Sequence, residues 1–75
     1  MQSLRFYLRL SPQEILGYYQ GQKQMVWVTT RTGQSLQFKV SHLRQFVTKN
    51  GIHGEFEIFF DDQNQFVKLV QLMAY

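Results

Sequence analysis

The chain has no cysteine and only one proline in 75 residues. Without thiols it has neither disulfide staples nor thiolate metal ligands, two common supports of a small fold, and an intracellular, cytoplasmic location is the simplest expectation. No apolar run approaches the roughly 20 residues of a membrane span. The opening MQSLRFYLRLSPQE lacks the charged start, apolar stretch and cleavage site of a secretory signal. A soluble protein without membrane contact is therefore expected. Acid is scarce in the first part of the chain. Through Asn50, Glu14 is the one acidic residue against seven lysines and arginines, whereas from Gly51 onward Lys68 faces Glu55, Glu57, Asp61 and Asp62. Such separation either makes a basic patch for polyanions or lets one part of the fold neutralise the other.

Aromatic residues are abundant: seven Phe, four Tyr and one Trp. A chain of this length buries only about 60% of its unfolded surface. Rings that bury about 150–250 Å² each supply more core area per residue than aliphatic side chains. One compact domain over residues 1–75 is expected.

Along the chain, Leu4, Phe6, Leu8 and Leu10 alternate with Arg5, Tyr7 and Arg9, the pattern of a half-buried strand. Ser11-Pro12-Gln13-Glu14 follows as a capping box with proline at the first helical position. The helix has an apolar stripe at Ile15, Tyr18 and Tyr19, and Gly21 is expected to end it in the left-handed conformation. KQMVWVTT, rich in β-branched and aromatic residues, predicts a strand from Lys23 to Thr30, with either the Val26/Val28 or the Met25/Trp27 face inward. A turn at Arg31–Gln34, with positive φ at Gly33, returns the chain as SLQFKV.

Ser41 is the expected N-cap of a second short helix through Leu43, Phe46 and Val47. GEFEIFF predicts a central strand, because EIFF left on an edge would invite aggregation. Asp61–Asn64 then turns into a last strand, FVKLVQL. The order is β-α-β-β-α-β-β. The expected fold is α+β, a five-stranded, mainly antiparallel curled sheet or small barrel with two short helices.

The runs YYQG at Tyr18–Gly21, HLRQF at His42–Phe46, GIHGEF at Gly51–Phe56 and DDQNQF at Asp61–Phe66 resemble a small bacterial family of uncharacterised single-domain proteins of about this length. The resemblance covers nearly the whole chain, and GIHG is its most specific part. It implies a stand-alone bacterial protein and brings no active site or cofactor to these positions.

The residues themselves point away from catalysis. His42 and His53 are not in a close-spaced ligand pair, so no metal site is expected. Ser3, Ser11, Ser35 and Ser41 occupy a terminus, caps and a strand rather than a nucleophile elbow. Glu55 and Glu57 share a strand face without a general acid-base partner, and Gly51 and Gly54 bracket too few residues for a phosphate loop. No cofactor is expected, and the chain reads as a binding module rather than an enzyme. Arg5, Tyr7, Arg9, Lys23, Trp27, Arg31 and Lys39 interleave rings and cations on the outward side of the sheet, which suits single-stranded nucleic acid: rings stack on bases and cations follow phosphates. The same features suit a protein partner or homodimer anchored by Trp27 and Phe59. A face in which Trp27 is core and the arginines pair with Glu55 and Glu57 is the structural alternative.

Overall fold

A computed structural model describes residues 1–21 and 24–74. Strand β1 (Gln2–Leu10) leads into helix α1 (Pro12–Gln20), followed by β2 (Met25–Thr29), β3 (Ser35–Lys39), a 3₁₀ helix (Val40–Phe46), β4 (Ile52–Phe60) and β5 (Phe66–Ala74). This is the α+β element order read from the sequence. The helix start is also as expected: the Glu14 N–H donates to Ser11 Oγ and the Ser11 N–H to Glu14 Oε1, each at 3.1 Å. Two donors at the helix start are thereby satisfied reciprocally.

The expected single curled sheet or barrel is not what forms. The five strands divide into two antiparallel sheets, β1-β4-β5 and β2-β3, neither curled nor closed. β1 meets the β2-β3 hairpin at one bridge, Phe6 to Thr30, supported by the Arg31 N–H donating to the Arg5 carbonyl at 3.0 Å. Beyond it the strands do not pair, because the hairpin has its own apolar face to bury. Val26, Val28 and Phe38 enter one core with Phe6, Leu8, Leu10, Phe56, Ile58 and Leu69. Phe6 joins the two sheets, its ring 5.6 Å from Phe38 and 5.7 Å from Phe56. Burial of both apolar faces in one core outweighs extension of the hydrogen-bonded ladder.

β4 is central, as expected, with β1 on one side and β5 on the other. β5 follows β4 through a turn in which Asp61 Oδ1 accepts the N–H groups of Gln63 and Gln65, each at 2.9 Å, and Asn64 takes a φ of 62°. Short polar side chains stabilise such turns locally and tolerate positive φ.

Two local expectations are corrected. Gly21 is extended, with φ −103°, rather than left-handed. A Cβ there would lie 2.5 Å from the Gly17 carbonyl oxygen, so close approach of the backbone requires the glycine. The second helix is 3₁₀ and begins after Lys39 without a side-chain cap, so Ser41 lies inside it. The buried Val40 and Leu43 anchor that segment to the core, and packing rather than capping holds it.

Candidate functional site

Alternation along β1 sends Arg5, Tyr7 and Arg9 to the face away from the core. The β1–β4 register sets Arg5 opposite Glu57, Tyr7 opposite Glu55 and Arg9 opposite His53. Glu57 accepts the Ser3 hydroxyl at 2.6 Å through Oε2 and lies 3.9 Å from Arg5 Nε through Oε1. Glu55, only 9% exposed, is contacted by the guanidinium of Arg31 from the turn after β2. Two of the expected phosphate-binding arginines therefore already serve carboxylates on their own face.

At the other end of β1, Arg9 has no ion pair among the described residues and faces an imidazole instead of an acid. Tyr7, two residues away and 57% exposed, stands on the same face. The two line an open cleft of about 450 Å³ with Leu8, Asn50, His53 and Gly54.

The Met25/Trp27 face of the hairpin is the outward one, as Val26 and Val28 are buried. Trp27 is 66% exposed. Gln37 is its cross-strand partner and Lys39 is opposite Met25, so Lys39 is a diagonal neighbour of Trp27. The described residues of the expected site thus fall into an Arg5/Arg31 group held by carboxylates, a Tyr7/Arg9 pair on one sheet and a Trp27/Lys39 pair on the other. They do not form one continuous field. Lys23 lies outside the described residues. Phe59, the other expected interface anchor, is half-buried, and the Lys68 ammonium lies 4.8 Å from its ring centroid.

Asn50 and His53 are cleft residues that the sequence did not single out for binding. Their place beside Arg9 follows from a register between strands more than forty residues apart, for which the chain carries no local signal. Elsewhere, His42 stacks on Phe66 with centroids 3.7 Å apart. Burial, aided by the nearby Lys39 charge, lowers the His42 pKa from the ordinary 6.5. Among the described residues no group of three or more His, Cys, Asp or Glu is placed to hold a metal ion. No helix there is long and apolar enough to cross a membrane.

Fold and surface together define a small α+β domain with an aromatic core, ion-paired strands and exposed ring-and-cation pairs, features consistent with a binding role. Residues 2–72 match the family described as "Protein of unknown function (DUF2835)". The chain belongs to that family, a bacterial domain of about 70 residues, as its sequence runs suggested. No curated protein and no solved structure matches it.

Proposed function

We propose that the domain binds single-stranded nucleic acid, with Tyr7 and Trp27 stacking on bases and Arg9 and Lys39 contacting phosphates. The observation that carries this reading is the Arg9 guanidinium, without an ion pair among the described residues, beside the exposed Tyr7 ring, on a face whose two glutamates already have basic partners. A ring and a cation at i and i+2 on one strand stand about 7 Å apart, close to the spacing of a base and its phosphate. Lys23 belongs to the same basic set by sequence. Arg5 and Arg31 contribute to the field only net of the carboxylates they hold.

The test is a titration of mixed-sequence RNA and DNA oligonucleotides followed by Trp27 fluorescence at low and moderate salt. Quenching that saturates at micromolar concentration and weakens as salt rises is the expected result, since phosphate contacts release counterions. Unchanged fluorescence and no complex at low salt would refute the reading.

A second reading, self-association, is favoured by β5. Among the described residues this strand has a neighbour on one side only, and it exposes Val67, Leu72 and Met73. Two register shifts and Lys68 blunt that edge, which places this reading second. Sedimentation equilibrium tests it: a concentration-dependent dimer supports it, and a monomer at high micromolar concentration rules it out.

A further inference from the structure

We infer that the cleft between Tyr7, Arg9, Asn50 and His53 is a seat for a single phosphate-bearing nucleotide, with the phosphate on Arg9, the base against the Tyr7 ring and the Asn50 amide at the base edge. The inference rests on the nucleic-acid reading and sharpens it to one position on one sheet. The volume of about 450 Å³ falls in the range of small-ligand sites, which pair apolar surface with a few convergent polar groups.

The far wall of the cleft is built in advance. His53 Nε2 lies 2.8 Å from the Asn50 carbonyl oxygen, which can only accept, so the ring donates from Nε2 and keeps Nδ1 for other contacts. The turn carrying Asn50 is closed by paired Thr48 and Gly51 backbone hydrogen bonds of 2.9 Å. Thr48 Oγ1 also donates to the Gly51 carbonyl at 2.9 Å and accepts the Asn50 N–H at 3.2 Å. Gly51 makes the turn possible with a φ of 96°. A Cβ there would lie 2.1 Å from the Leu10 carbonyl oxygen at the end of β1. The Asn50 side-chain amide makes no hydrogen bond among the described residues, leaving both a donor and an acceptor for a base edge. A wall fixed before binding loses little freedom when the ligand arrives.

A second groove, lined by Tyr18, Tyr19, Lys39 and Arg44, also combines rings with cations. It is less suited to an anion. Arg44 is already over the Tyr19 ring, 6.0 Å from its centroid, and Gly21 in the groove wall marks the C-terminus of α1, where the helix dipole is negative.

The experiment is an amide NMR titration of the intact chain with adenosine monophosphate, uridine monophosphate, the uncharged nucleosides and inorganic phosphate. The expected result is saturable shifts at Tyr7, Arg9, Asn50 and His53 with the monophosphates, and binding at least about tenfold weaker for either half alone, because ring and phosphate contacts act together. Tyr7→Ala and Arg9→Ala should each weaken the monophosphates about tenfold with the folded spectrum retained, while Tyr7→Phe should keep most of the affinity. Shifts confined to the Tyr18/Tyr19/Arg44 groove, or no saturable shift at millimolar ligand, would overturn the inference. An oligonucleotide that binds with the cleft unperturbed overturns the seat and leaves the strand-binding function standing. A mononucleotide that fills the cleft while oligonucleotides fail to bind upholds the seat and overturns the strand reading.

Discussion

The two ends of the outward face of β1 carry similar side chains in different settings. Toward the start of the strand, Arg5 and the adjoining Arg31 meet Glu57 and Glu55, and charge is satisfied within the molecule. Toward its end Arg9 faces His53 beside an exposed tyrosine and a cleft. Residue type alone does not separate a structural arginine from a ligand-binding one; the cross-strand partner does. Three arginines that look interchangeable in sequence should therefore respond to mutation in opposite ways, in stability on one side and in binding on the other.

The largest change comes from removing the platform under both ends. Phe6→Ala takes away a fully buried ring that touches Phe38 and Phe56, and should cost about 3–5 kcal/mol, a large share of the stability of a domain this small. Urea denaturation measures it. A cost below about 1 kcal/mol would mean that the two sheets do not depend on this contact.

Arg31→Ala comes next, because it strips the basic partner from a nearly buried carboxylate. The expected loss is about 1–3 kcal/mol, read as a melting temperature lower by roughly 4–8 °C per kcal/mol. Arg5→Ala should cost less, about 1 kcal/mol or below, since Glu57 keeps the Ser3 hydroxyl and Arg5 lies 3.9 Å from it rather than in close contact. If the two substitutions destabilise equally, the Ser3 hydroxyl that Glu57 keeps is not what separates them.

A smaller effect sharpens the comparison from the other side of the molecule. His42 is held toward its neutral form by burial and by Lys39, so the folded state binds its proton less readily than the unfolded chain. Its contribution to stability is fully present above about pH 6.5 and is lost as pH falls through the lower folded-state value. Thermal unfolding across pH 7 to 5 should show a decline that is shallower in His42→Gln. Identical pH profiles would exclude His42 as the source.

Much of this was legible in the chain because it is locally encoded. The Ser11/Glu14 box, the alternation of β1, the Gly33 turn and the central place of EIFF each depend on residues close in sequence, and each appears as expected. The division into two sheets was not legible. Val26, Val28 and Phe38 mark an inward face equally well in one sheet or in two, and a single bridge at Phe6–Thr30 separates the cases. Gly21 could be read as a helix stop but not as a point of backbone contact with Gly17. The candidate site was legible as a composition of rings and cations. Its sorting into cations with and without an ion pair among the described residues was not, because β1 and β4 are joined only by long-range register.

The most direct measurement is oligonucleotide affinity for Arg9→Ala and Arg31→Ala, taken alongside the melting temperature of each. Arg9→Ala should weaken binding about tenfold and reduce the salt slope by about one, with an unchanged melting temperature. Arg31→Ala should lower the melting temperature and leave affinity within about twofold at temperatures where the variant is folded. Loss of binding in Arg31→Ala together with full binding in Arg9→Ala would contradict the assignment of the Arg9 guanidinium at the end of β1 as the point of contact.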